Sequence, residues 1–119
     1  MVSGIDLIRY RSALRGLDDL PATVDRRCEK RYAPKGSLSK ATVSLMAHPG
    51  LLDADVIELS PNGMRLAVAP GIRCKTGDRC LIEIQPTLQT CLKLQAEIRW
   101  VEEHPLITVF GVQFEQRDG

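Results

Sequence analysis

Hydrophobicity alternates with a period of two along most of the sequence after residue 39. The alternation is cleanest in residues 92–100, where Leu, Leu, Ala, Ile and Trp alternate with charged or amide side chains. Strict alternation predicts a β-strand with one buried face. Similar runs lie near residues 41–47, 53–59, 64–68, 80–84 and 106–115. Six short strands separated by turns predict an all-β fold, an antiparallel barrel or sandwich.

Turn signals separate these strands. Ser60-Pro61-Asn62-Gly63 predicts a tight hairpin turn, because Asn-Gly is a strong hairpin signal. Gly63 permits a positive φ and a close backbone approach. Pro86 is expected to end the fourth strand.

Residues 3–16 predict a short helix, with a partly disordered lead-in as the alternative. A helix this short is marginally stable alone and has to dock on the rest of the fold. The predicted organisation is therefore an N-terminal helix or lead-in over residues 1–22 and a barrel domain over residues 23–119.

Composition excludes several classes of protein. The 119 residues fit one domain, and the net charge of +1 argues against a general DNA- or RNA-binding protein. No apolar run is long enough to span a membrane, and residues 1–6 lack the features of a signal peptide. The four cysteines form no C-x-x-C motif and are interpreted as free thiols. We expect a cytoplasmic protein without membrane insertion, and the absence of a nucleophile–base pair argues against an enzyme.

The segment from Asp25 to Lys35, here called the arginine segment, concentrates positive charge. It holds five basic and two acidic residues, a local net charge of +3. Arginine suits a phosphate, because its planar fork donates parallel hydrogen bonds to phosphate oxygens. The alternative is a solvated loop or a docking patch for an acidic partner.

Two motifs, in this order and with this strand pattern, carry a family resemblance. Arg27-Cys28-Glu29-Lys30-Arg31 matches R-x-x-x-R, and Ser60 and Gly63 match (D/N)-x-S-x-x-G with Glu58 where Asp or Asn is usual. Residues 98–101 and 110–114 are similar to the last two strands of the same family. The chain resembles a PilZ domain, a family of bacterial receptors for the second messenger cyclic di-GMP. The resemblance implies a six-stranded antiparallel β-barrel.

The resemblance also implies a binding site for cyclic di-GMP, with no metal and no other cofactor. It assigns the arginines to phosphate and guanine and the turn to the other side of the ligand. An arginine directly before R-x-x-x-R resembles members that bind a stacked ligand dimer, so Arg26 favours two ligands over one. Trp100 is expected to be partly core and is a candidate for an aromatic face near the ligand. The predicted binding residues are Arg26, Arg27, Arg31, Glu58, Ser60, Gly63 and Trp100.

The predicted function is a receptor that signals to a partner protein. Ligand binding is expected to order the loop of residues 18–38, and the changed surface would be read by motility, pilus or exopolysaccharide machinery. The alternative is a PilZ-like adaptor that does not bind cyclic di-GMP and acts by protein contact, which Glu58 keeps open. Many members continue into a C-terminal helix after the barrel. Here we expect the N-terminal segment to cover the barrel end.

Overall fold

The fold was determined as a computed structural model that describes residues 4–19, 30–46 and 48–115. Two of the predicted binding residues, Arg26 and Arg27, lie outside the described residues, as do Cys28 and Ala47.

A short helix precedes six strands. Helix α1 spans Gly4–Ala13 and continues as a 3-10 turn over Leu14–Gly16. A second 3-10 turn, Gly36–Ser39, leads into the first strand. The strands are β1 (Lys40–Leu45), β2 (Leu51–Ser60), β3 (Gly63–Val68), β4 (Arg79–Thr87), β5 (Thr90–Glu103) and β6 (Thr108–Phe114).

The strands close into an antiparallel barrel in the order β1-β2-β3-β6-β5-β4. Alternate side chains point into a packed interior, where Leu66, Ile82, Leu92, Ile98 and Phe110 have no exposed surface. Closure removes the unpaired strand edges that an open sheet would present. The predicted all-β, six-stranded barrel is confirmed.

Helix α1 covers one end of this barrel. Tyr10 and Leu14 are buried in the same core as the strands, and the Tyr10 ring meets Phe114 edge-on at a centroid distance of 5.0 Å. Ile5 and Ile8 lie on the opposite side of the helix and are exposed. The predicted helix is confirmed, and its docking supplies the stability that a ten-residue helix lacks alone.

The prediction that Trp100 shares the core face of β5 is wrong. The pairing of β5 with β6 shifts register between Ile98 and Trp100, as at a β-bulge. One inserted residue reverses the side that later side chains face. Val101 therefore packs against the core, while half-buried Trp100 lies over Gly111 on the outside of the barrel.

The turn between β2 and β3 also differs from the prediction. Ser60 pairs with Gly63, so Pro61 and Asn62 form the two-residue loop. Gly63 does not adopt the positive φ that glycine permits, and no non-glycine residue of the described chain has one, so Asn62-Gly63 is not the central pair of the hairpin turn. The expected close approach is present, because a Cβ on Gly63 would overlap the carbonyl oxygen of Val112.

The fourth strand does not end at Pro86. It continues to Thr87, and the register with β5 is irregular between Ile84 and Thr87. Proline lacks the N–H that a regular ladder needs, and it is accommodated where the ladder is interrupted.

Three further features of the structure concern the cysteines, membrane-spanning helices and metal ligands. Cys74, Cys80 and Cys91 are free thiols. In the described ranges no helix is long and apolar enough to cross a membrane. No cluster of metal-ligating side chains occurs there either.

Candidate ligand-binding site

One row of residues crosses four neighbouring strands on the outside of the barrel. Glu58 of β2 pairs with Arg65 of β3, Arg65 with Gly111 of β6, and Gly111 with Trp100 of β5. Side chains at paired positions share one face of a sheet. The register therefore brings a carboxylate, a guanidinium and an indole together.

A cavity of about 460 Å³ lies over this row. Its volume falls within the range typical of small-molecule sites. Five of the seven predicted binding residues line it, namely Arg31, Glu58, Ser60, Gly63 and Trp100. The remaining wall is formed by Leu59, Asn62, Met64, Arg65, Arg99, Gly111, Val112 and Gln113.

The carboxylate of Glu58 is shared by two arginines. Arg31 forms an ion pair with it through Nη1, and Arg65 Nη2 lies 3.9 Å from the same oxygen. The Glu58 side chain is only 14% exposed, whereas Arg31 and Arg65 are 36% and 40% exposed. One partly buried carboxylate thus neutralises only part of the charge of the two guanidinium groups that line the cavity.

The same two arginines retain unused hydrogen-bond donors. Arg31 Nε and Arg65 Nε are buried and have no hydrogen-bond partner among the described residues. A buried donor without a partner costs roughly 1–3 kcal/mol, so such groups call for an explanation. These two atoms are shielded from solvent, so an acceptor would reach them only if the arginine side chains move.

Arg65 and Trp100 form a stacked pair. The guanidinium carbon of Arg65 lies 5.2 Å from the centroid of the indole, within the range of a cation–π contact. The indole rests on Gly111, where a Cβ would overlap the ring nitrogen. Because Gly111 has no side chain, the Trp100 indole can occupy the space above it.

Arg65 was missed by the sequence-based prediction. The sequence does contain a signal that points to Arg65, because it is a charged residue on the polar side of β3, two positions after Gly63. A period of two places these residues on one face. What the sequence could not supply was the register that sets Arg65 between Glu58 and Trp100.

Ser60 and Gly63 form the rim of the cavity at the β2–β3 turn. The Ser60 side chain is nearly buried, and its hydroxyl donates to the Gly63 carbonyl oxygen at 3.2 Å. Because Ser60 lines the cavity while bonding within the turn, it fixes the shape of the turn beside the ligand space.

Backbone pairing holds Arg31 beside β2. Tyr32 N donates to Leu59 O at 2.7 Å, and Leu59 N donates to Tyr32 O at 3.0 Å. This short extension of the sheet places the preceding residue, Arg31, at the mouth of the cavity. The arginine segment and the β2–β3 turn therefore meet at one site.

Comparison with protein-family models identifies the family. The model described as PilZ domain matches residues 25–119. The chain belongs to the PilZ family. PilZ domains are receptor and adaptor domains, and the matched range includes both motifs and all six strands.

Solved structures agree with this assignment at the level of the fold. One is the PilZ domain with c-di-GMP of YcgR from Escherichia coli, at a TM-score of 0.62 and 17% identity, covering 76% of this PilZ chain and 78% of that one. Another is the Bacillus subtilis inhibitor of motility MotI/DgrA, at a TM-score of 0.59 and 13% identity. That match covers 82% of this chain but 48% of MotI. No curated protein matches the sequence.

Proposed function

We propose that this PilZ protein is a cytoplasmic receptor for cyclic di-GMP, acting by binding and not by catalysis. The observation that carries the proposal is the cavity over β2, β3, β6 and β5, which is large enough for a ligand and is lined by Arg31 and Arg65, two guanidinium groups that share the single carboxylate of Glu58. A ligand with anionic phosphates and planar, acceptor-rich bases matches these groups.

The guanidinium groups and the stacked Arg65–Trp100 pair are proposed to contact different parts of the ligand. The guanidinium groups suit phosphate oxygens and the acceptor edge of guanine. The Arg65–Trp100 pair offers a planar surface on which a base can stack. Glu58 can accept from guanine N–H groups once its pairing with Arg31 is relaxed. The E. coli YcgR domain, whose structure is described with c-di-GMP, has the same fold and supports this choice of ligand.

Arg26 and Arg27 are proposed to complete the site from the preceding loop. Arg27 would share phosphate and guanine recognition with Arg31, and Arg26 favours a stacked ligand dimer, so that two ligands bind per protein. Ligand binding is proposed to order this loop and to change a surface that a partner protein reads, such as one of the motility or exopolysaccharide machinery.

A second candidate function is an adaptor that acts without the nucleotide. The ion pair between Arg31 and Glu58 favours it, because one of the ligand-binding groups is already occupied by the protein itself. The fold shared with MotI, described as an inhibitor of motility, is compatible with such a role. The two functions differ in whether the cavity binds cyclic di-GMP.

Calorimetric titration of the purified protein with cyclic di-GMP at fixed moderate salt tests the proposal. We expect a dissociation constant of about 1 µM or below, with two ligands per protein. Arg31→Ala and Arg27→Ala should each weaken binding at least tenfold, because each removes a charge-assisted contact. Arg15→Ala, an exposed arginine on the N-terminal side, serves as the control for lost charge. Unchanged affinity in both loop variants would refute binding through these arginines, and no binding by the wild type would refute the receptor function and favour the adaptor.

A further inference from the structure

Arg11 of helix α1 holds the β2–β3 turn from the side opposite the cavity. Its Nε donates to Pro61 O at 2.9 Å, and its Nη2 donates to Asn62 Oδ1 at 2.6 Å. Both contacts join residues about fifty positions apart in the chain. A planar fork that donates two bonds to one turn fixes both the position of the backbone and the orientation of the Asn62 amide.

The neighbouring residue of the helix holds the two ends of the same turn. The Tyr10 hydroxyl lies 2.7 Å from Ser60 O and 3.2 Å from Gly63 O, and it donates its proton between these two carbonyls. Tyr10 is fully buried and packs against Phe114. Two consecutive helix residues therefore contact all four residues of the turn.

The turn connects the helix with the cavity. Ser60, Asn62 and Gly63 line the cavity and also accept hydrogen bonds from α1, whose own residues do not line it. Displacing the turn by a fraction of an ångström would change the cavity rim, since interiors at this density transmit displacement from one group to the next. The docking of α1 and the shape of the site are thus mechanically linked.

The chain after α1 is attached to the arginine segment as well. Ala33 N donates to Asp18 O at 2.9 Å, and Asp19 forms a β-bridge with Tyr32. Tyr32 follows Arg31 directly. The helix is consequently joined to both sides of the cavity, the turn on one side and the arginine segment on the other.

We propose that Arg11 is a positioning residue of the ligand site and that docking of α1 is coupled to its occupancy. The proposal rests on the proposed function, because it concerns the same site. Arg11 is half-buried and is not a member of the hydrophobic core to which Tyr10 and Leu14 belong. Its two bonds go to the turn alone. By reciprocity, if a docked α1 favours ligand binding, bound ligand stabilises the docked α1 by the same factor.

The test combines calorimetric titration with cyclic di-GMP and amide hydrogen exchange of α1. Arg11→Ala should weaken ligand binding about five- to tenfold, because two hydrogen bonds that set the turn are lost. Arg11→Lys should be intermediate, since it keeps the charge but not the fork. Arg9→Ala, an exposed arginine of the same helix, is the matched control and should bind as the wild type does. Saturating ligand should slow exchange of the α1 amides in the wild type and less so in Arg11→Ala.

Two results would overturn this inference while leaving the receptor function intact. One is wild-type affinity in Arg11→Ala, and the other is α1 exchange that saturating ligand does not change. If Arg11→Ala does not fold, wild-type affinity in Arg11→Lys overturns the inference in the same way. Absence of binding by the wild-type protein would overturn the receptor function itself and this inference with it.

Discussion

Glu58 controls how much of the arginine charge in the cavity is available. Its carboxylate pairs with Arg31 and lies within 3.9 Å of Arg65. The motif of the family usually has Asp or Asn at this position. Glutamate is one methylene longer than aspartate, and its carboxylate forms an ion pair with Arg31. In the proposed site, a ligand phosphate would compete with this carboxylate for the same guanidinium.

Glu58→Asp should strengthen cyclic di-GMP binding about three- to tenfold. The shorter side chain withdraws from Arg31 and frees a charge-assisted donor, an effect reduced by the partial exposure of that arginine. Calorimetric titration measures the change. Asp55→Asn, which breaks an exposed ion pair with Lys40 at the other half of β2, should leave the affinity unchanged. Equal or weaker binding by Glu58→Asp would show that Glu58 does not compete with the ligand.

Arg65→Ala should weaken binding and alter the fluorescence of Trp100. The chain has a single tryptophan, so intrinsic tryptophan emission reports on this site alone. Removing the guanidinium that covers the indole exposes the ring, and the emission maximum should shift to the red. The affinity should fall about tenfold, in line with loss of a charge-assisted bond. Arg79→Ala, which breaks the pair with Glu115 outside the cavity, should change neither quantity.

Five of the seven residues predicted from the sequence line the cavity, but the sequence did not predict how they are arranged. Arg31, Glu58, Ser60 and Gly63 lie together because the motifs flank adjacent parts of the barrel. The role of Arg65 depends on a register that no local pattern specifies. Alternation predicts Trp100 on the core face because the pattern counts every residue equally. The pattern cannot detect the bulge that turns the indole outward.

At the scale of elements, the contact between β3 and β6 is set by the absence of a side chain at Gly63. A Cβ there would overlap the Val112 carbonyl oxygen, and the carbonyl carbon would lie at 3.3 Å. The two strands pair along their whole length at this close approach. The glycine of the binding motif is thus required by the packing of the barrel as well as by the turn.

Gly63→Ala should destabilise the barrel by about 1–3 kcal/mol, as expected when extra volume is forced into a packed site. Urea unfolding measures the change in the free energy of unfolding. Gly16→Ala is the matched control, because a Cβ there meets nothing within 4 Å and the φ of Gly16 is not positive. It should leave stability nearly unchanged. An equally small effect at Gly63 would mean that the strands separate without cost.

The sequence predicted that each strand exists, but it did not predict the type of turn between β2 and β3. Alternation predicted all six strands, because a half-buried strand needs it. The hairpin turn has Pro61-Asn62, and not Asn62-Gly63, as its central pair. Proline fixes its own φ, and the pairing of Ser60 with Gly63 closes the loop one residue earlier. Pairing across strands, a tertiary property, decided the turn type.

At the scale of the whole molecule, closure of the barrel buries a thiol. Cys80 is 6% exposed. Burial, followed by the nearby Cys74, Glu115 and Asp78, raises the pKa of Cys80 to about 12. Burial is also the main cause that raises the pKa of Cys74. The folded protein therefore keeps protons that the unfolded chain releases at lower pH.

This difference predicts loss of stability in alkaline solution. Above the ordinary thiol pKa of 9.0, the unfolded chain binds fewer protons than the folded one, so the free energy of unfolding falls as pH rises toward 12. Urea unfolding at pH 8, 9 and 10 should show a steeper decline for the wild type than for Cys80→Ala. Cys91→Ala removes an exposed thiol and should keep the wild-type slope. Identical slopes for all three proteins would contradict a buried, protonated Cys80.

If cyclic di-GMP binds over β2, β3, β6 and β5, amide chemical shifts followed during titration with cyclic di-GMP should locate it there. We predict shifts at Gly63, Arg65 and Gly111 and at the indole N–H of Trp100, with little change on the opposite face around Lys40 and Glu83 of β1 and β4. Absence of shifts at millimolar ligand, or shifts confined to that opposite face, would contradict the account.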